Sequence, residues 1–227
     1  MLRDYLRVNK KQLQFLAGAG LAKIVYSDGM PQSGSTLLFN IARLVLQSNH
    51  GCKVSAGWVG DALDLPPADI YLIKTHGIKP LDAWRAHRFF HSFRDPRDAL
   101  VSGLRKIGTQ PTIEPVRAWM KWYAFAEKRA DLMCRYETMI EDIPGTIRAV
   151  AGALGQMVDV DDIAKSIPMV APDRSGTVKR DKVTLMHRNH RTGTVAGEWR
   201  DIFPPALQRQ ISSEFGPWLE RNGYPLD

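Results

Sequence analysis

Cysteine is scarce. Only Cys52 and Cys134 occur in 227 residues, and neither stands in a CxxC or Cys/His ligand spacing. That excludes a zinc finger or ribbon and a disulfide framework; two thiols suit a reducing cytosol, with room for one disulfide at most. Long apolar runs are missing too: no window approaches the roughly 18 apolar residues of a transmembrane helix. The mildly apolar stretch Leu13 to Ala22 follows Lys10 and Lys11, but it holds Gln14 and two glycines. It runs straight into a β-branched segment, so it reads as a helix and turn leading into a strand and not as a signal peptide. The expected compartment is the cytoplasm. Basic runs of five or more are absent, so no nucleic-acid tail is indicated. Internal repeats and low-complexity segments are absent as well.

What is present is ordinary for a globular protein: 44% hydrophobic and 24% charged residues. The length suits one α/β domain, residues 1–227, with a well-filled core. Thirty-one Lys and Arg against 24 Asp and Glu give a net charge of +7. Such a surplus fits nucleotides, nucleic acid, acidic glycans or anionic membrane and chooses among none of them.

Residues 24–27 read as a short buried strand, broken by Gly29 and Pro31. A helix starts at Ser35, with Leu37, Leu38, Ile41, Leu44 and Val45 on one face. Further strands are expected over 70–73, 89–93 and 131–136. Helices are expected over 96–106, 115–130, 143–154 and 206–222. The segment 171–197, rich in Gly and charge, reads as a long loop. Strands alternating with helices imply a parallel sheet.

Three clusters carry chemistry. Gly29-Met30-Pro31-Gln32-Ser33-Gly34-Ser35-Thr36 lies between a strand and a helix and is almost a Walker A motif. Backbone N–H groups turned inward at a helix N-terminus hold an anion. The Walker lysine position is Ser35, which argues against a nucleoside triphosphatase and leaves a site for a simpler phosphate. The bland alternative is a turn whose glycines serve geometry alone. Lys74-Thr75-His76 follows a strand, at the sheet edge where ligands bind in open α/β folds. A histidine there can act as general base, and Lys74 can stabilise negative charge; a capping or packing histidine is the alternative. Arg94 opens the turn after the next strand, and Ser102 lies eight residues on. An Arg fork with a hydroxyl can grip a terminal phosphate. In the bland reading Asp95 caps the helix, Pro96 takes its first turn, and Arg97 and Asp98 are solvated.

In order and spacing these clusters resemble the PAPS-dependent sulfotransferase family, PAPS being 3′-phosphoadenosine 5′-phosphosulfate. Arg135-Tyr136-Glu137-Thr138-Met139 is similar to the family's Tyr-Glu-Asp-Met segment. Arg191-Thr192-Gly193 and Gly197-Glu198-Trp199-Arg200 are similar to its Arg-Lys-Gly and Gly-Asp-Trp-Lys segments. The resemblance implies an α/β fold, a P-loop NTPase-like three-layer sandwich with a central parallel β-sheet flanked by helices. It implies that Gln32, Ser33, Gly34, Ser35 and Thr36 bind the 5′-phosphosulfate side of PAPS. Arg94 and Ser102 would hold the 3′-phosphate, Arg191, Thr192 and Gly193 would close over it, and Tyr136 would lie near the adenine. His76 would take the acceptor's proton, with Lys74 stabilising charge. PAP would be the product, and no metal is expected.

The chain departs from the family pattern at several places. Gln32 stands where many relatives have Lys or Arg, Leu37 where many have Trp, and Thr192 where Lys is usual. The closing loop has one residue more, and the chain is short for the family. The expected activity is sulfuryl transfer to a hydroxyl of a small molecule or glycan. A P-loop small-molecule kinase and a non-catalytic nucleotide-binding protein of the same fold are the alternatives. Nucleic acid is not an expected partner; a homodimer is allowed. The acceptor pocket is expected from the segments 50–68, 107–116 and 171–190, where Lys179, Arg180, Lys182 and Arg188 suit an anionic acceptor or a solvated loop.

Overall fold

A computed structural model describes residues 10–108, 110–167, 181–186 and 195–227. Its centre is a five-stranded, wholly parallel sheet: β1 (Lys23–Gly29), β2 (Val54–Trp58), β3 (Ile70–Lys74), β4 (Arg88–Phe93) and β5 (Leu132–Arg135). The spatial order is β2-β3-β1-β4-β5. Parallel strands are covered on both faces and so read as apolar runs, and β3 is buried throughout. Period-two geometry divides β1 between the faces: Val25 joins one core, Ile24 and Tyr26 the other.

On the first face lie α2 (Ser35–Gln47), α7 (Ile143–Leu154) and α8 (Val160–Ser166). Leu38, Phe39, Ile41, Ile147, Val150 and Ile163 pack there. On the second face α1 (Lys10–Ala19) and α5 (Glu114–Glu127) bring Phe15 and Ala126 against Tyr26, Ile73 and Phe89. A third cluster joins α4 (Pro96–Ile107), α5, α9 (Trp199–Ile202) and α10 (Pro205–Arg221) through Leu100, Val116, Trp199, Ile211 and Leu219. The short helices α3 (Pro80–Arg85) and α6 (Tyr136–Glu141) complete the set. This is the expected three-layer sandwich. No helix among the described residues is long and apolar enough to cross a membrane.

Three local expectations need correction. The segment 50–68, named above for the acceptor pocket with no secondary structure assigned to it, carries edge strand β2 and a 3-10 helix, Val59–Asp64. Val-Ser-Ala-Gly-Trp is only alternately buried at the sheet edge, so its apolar signal is weak. The strand expected over 131–136 ends at Arg135, and Tyr136 opens α6. Arg97 and Asp98, expected to be solvated, are 0% and 2% exposed. Arg97 pairs with Asp95 at 2.7 Å, donates to Pro225 O at 2.5 Å and lies 3.9 Å over the Trp199 ring. Asp95 nevertheless caps α4 as expected, accepting from Arg97 N. Both cysteines are free, and burial pushes the Cys134 thiol up to about 12.

The chain runs from β1 out to β2, returns to β3 beside β1, then crosses to β4 and β5 on the other side. The carboxyl ends of β1, β3, β4 and β5 therefore share one edge of the sheet, and the loops that follow them meet there.

Candidate active site

After β1 the chain makes a tight loop into α2. Ser33 Oγ donates to Met30 O at 2.6 Å and sits 2.7 Å from Ser92 Oγ, and Met30 N donates to Ser92 O at 2.9 Å. These bonds fasten the loop to β4. Gln32 and Gly34 both adopt left-handed backbone, with φ of 65° and 74°. At position 34 only glycine suits: a Cβ would also come 2.8 Å from Tyr136 Cδ2. Gly34 caps α2 with no side-chain acceptor, so the N–H groups of the first turn remain available as donors. Ser35 and Thr36 are buried in that turn. With the helix dipole behind them, such donors can hold an anion.

Arg94, just after β4, is 5% exposed. Its guanidinium lies 4.5 Å over the ring of Tyr136, which itself abuts Gly34. Arg94 Nε is buried with no hydrogen-bond partner among the described residues. Leaving such a donor dry costs free energy, which an anion accepting from it would recover. Ser102, two turns into α4, donates to Gln32 Oε1 at 3.4 Å. The structure thus brings Gln32, Ser33, Gly34, Ser35, Thr36, Arg94, Ser102 and Tyr136 together. Arg191, Thr192 and Gly193 lie outside the described residues.

Asp98 closes this end. Its carboxyl oxygens accept from Gly197 N at 3.1 and 3.0 Å. Burial, and then neighbouring Asp95, push its carboxyl up to about 6, against the opposing pull of the Gly197 N–H, Arg94 and Arg97. A carboxyl with a raised folded pKa binds its proton more tightly in the folded state, so its stabilising contribution is lost as pH rises through about 6. Asp98→Asn keeps an acceptor for Gly197 and removes the charge. In thermal unfolding, D98N is expected to melt above the wild type at pH 8, with the gap narrowing towards pH 5. A wild type that melts higher at pH 8 contradicts this.

On the other side of the loop stands His76. Its Nδ1 is 2.7 Å from Gly29 O, and its Nε2 is 3.4 Å from Lys74 Nζ. A carbonyl only accepts, so Nδ1 carries the hydrogen and donates. Burial, then the Lys74 ammonium, push the imidazole down to about 4. At neutral pH the ring is therefore uncharged, with a bare Nε2 turned towards the ammonium. That tautomer can accept a proton.

Sequence reasoning missed four residues beside the candidate base. Trp58, at the end of β2, lies 5.6 Å from the His76 ring, with Lys74 Nζ 5.3 Å from its centroid. Trp122 abuts Gly77: a Cβ at position 77, where φ is 106°, would come 3.1 Å from its ring. Both indoles are half-buried. Asp28 and His91 form a buried pair beneath the turn, 2.8 Å apart. An indole at the carboxyl end of a strand is a legible signal once β2 is recognised; a buried hydrogen-bonded pair is legible only from the partner strand.

Fold comparison decides the architecture. A retinol dehydratase in complex with androsterone and the inactive cofactor PAP superposes with a TM-score of 0.61 at 16% identity, covering 90% of this chain and 85% of the other. Mouse sulfotransferase SULT7A1 complexed with PAP gives 0.60 at 15% identity, covering 90% and 88%. The chain shares the fold of these PAP-bound proteins. A retinol dehydratase in a complex with retinol and PAP gives 0.61 at 15% identity, covering 96% and 86%. No family model matches the chain, and no curated protein matches it in sequence.

Proposed function

We propose that this protein is a PAPS-dependent sulfotransferase acting on a hydroxyl. The observation that carries the reading is Arg94: a buried guanidinium whose Nε has no partner among the described residues, stacked on Tyr136 beside the glycine-capped start of α2. One edge of the sheet therefore holds two anion receptors, which suits a nucleoside phosphorylated at both ends. The donor sets fit PAP: the loop from Gln32 to Thr36 for the 5′-phosphate, Arg94 and Ser102 for the 3′-phosphate, and Tyr136 near the base. Neighbours of the same fold in complex with PAP support the assignment.

PAPS, when bound, supplies the sulfuryl group. The chain's part is to orient and to handle charge. His76 Nε2 would take the proton of the acceptor hydroxyl as that oxygen bonds to sulfur and the bond from sulfur to the 5′-phosphate oxygen breaks, with PAP leaving. Lys74 and the N–H groups of the first turn of α2 hold the negative charge that develops. Gln32, oriented by Ser102, offers neutral hydrogen bonding only, so Lys74 is the cation nearest the reacting centre in this reading. Trp58 and Trp122 wall the approach to His76 with apolar rings, on which a flat alcohol or a sugar ring can lie. The neighbours' complexes with androsterone and retinol support a small-molecule alcohol.

The test is PAP release from PAPS without divalent metal, against a panel of phenols, alicyclic alcohols and sugars. Acceptor-dependent release is expected with a ring-bearing alcohol. Phosphoryl transfer from ATP to the same panel, with none from PAPS, contradicts the reading.

A further inference from the structure

Asp28 lies near the end of β1, one residue before the loop, and is 1% exposed. A carboxylate at that depth needs partners on both oxygens, and it has them. Oδ1 accepts from Gly77 N at 2.7 Å, and Oδ2 accepts from His91 Nδ1 at 2.8 Å. Gly77 is the residue after His76. Gly29, the residue after Asp28, receives the His76 Nδ1 hydrogen at 2.7 Å. The imidazole is thus held from two sides, by main-chain atoms adjacent to Asp28 in space and in sequence. His91, itself 1% exposed, packs edge-on against Phe89 and Tyr123 with ring centroids 6.4 and 6.2 Å away. It cannot swing away without disturbing those rings.

We infer that Asp28 is a positioning residue for His76, and that His91 acts through Asp28 by fixing its carboxylate. The inference rests on reading His76 as the base. Asp28 ties the turn Thr75–Gly77 to the end of β1, which keeps Gly29 O in line with Nδ1 and leaves Nε2 bare. Its charge also opposes the effect of Lys74 on the ring; among the described residues Lys74, Asp28 and His91 are the charged or titratable groups that act on it. A carboxylate accepts from both N–H donors, whereas an amide has one oxygen, so His91 must either lose its acceptor or move its hydrogen to Nε2, which is buried with no partner among the described residues. A displaced turn misaligns the base, and misplacement of about 1 Å can cost about a hundredfold in rate.

The variants are Asp28→Asn and His91→Leu, each compared with the wild type and with His76→Ala. Three readouts are needed: turnover with PAPS, calorimetric PAP binding, and 15N NMR of the His76 ring at neutral pH. D28N is expected to lower kcat about ten- to a hundredfold while PAP affinity stays within about threefold. Its ring spectrum should change from a single Nδ1–H tautomer to a mixture. H91L should move the same quantities in the same direction by less, because Asp28 keeps its bond to Gly77. Wild-type kcat and ring signals in D28N overturn the inference, as does a loss of kcat matched by an equal loss of PAP affinity. Should D28N not fold, H91L decides by the same signs. If H76A keeps wild-type turnover, the base reading fails. The ring spectrum of D28N still decides the coupling: a mixed tautomer supports it, and an unchanged one overturns it.

Discussion

Replacing Arg94 with methionine is expected to weaken PAP binding by two to three orders of magnitude and to leave the protein folded with a raised Tm. Charge-assisted hydrogen bonds contribute about 1.5–3 kcal/mol each, and a guanidinium can direct two at one phosphate, hence an expected loss of about 3–4 kcal/mol. The stability gain has the opposite sign for a physical reason. Arg94 is buried beneath solvent, and its Nε has no hydrogen-bond partner among the described residues. Burying that group costs the fold, and an apolar side chain of similar length avoids the cost while keeping contact with Tyr136. Arg94→Lys should lose about tenfold in affinity, because an ammonium cannot reproduce the planar fork. Calorimetry with PAP and thermal melting check both halves. A drop in Tm with unchanged PAP affinity would mean that Arg94 is a structural residue.

His76→Ala is expected to remove about three orders of magnitude of turnover with PAP affinity near that of the wild type, within the range of a lost general base. The pH profile carries more information. An ordinary histidine would give kcat/KM an acid limb near 6.5, whereas here burial and Lys74 push the ring down to about 4. Above that value the ring is neutral and competent, so kcat/KM should stay flat from pH 7 down to about 5. Lys74→Met removes the second cause of depression. It should lower the rate by withdrawing a positive charge from the transferring group, and it should move the acid limb upwards. A limb near 6.5 in the wild type, or one unmoved in K74M, contradicts this account of the site.

The sheet was legible wherever burial is complete. Strands β1, β3 and β4 appear as apolar runs closed by Gly29, Lys74 and Arg94, and α2 appears as one apolar stripe. The positions of the loop 29–36, of Lys74-Thr75-His76 and of Arg94 were legible because each follows a readable strand, and strand ends in a parallel sheet gather at one edge. Edge strand β2 was not legible, and Trp58 was missed with it, because its alternating exposure leaves a weak pattern. Arg97 and Asp98 were misread for another reason. Their burial is made possible by Trp199, Pro225 and Gly197, each about a hundred residues or more away in the chain. The same holds for Asp28 and His91, whose pairing is a consequence of β1 lying beside β4. Local pattern reports which residues are apolar; it does not report which charges will find each other.

The most direct measurement is a calorimetric titration with PAP, without divalent metal, set against ATP and ADP with magnesium. The account predicts micromolar PAP binding that needs no metal, with ATP at least about tenfold weaker. Tighter binding of magnesium-ATP than of PAP would contradict it, and so would a protein that binds none of them.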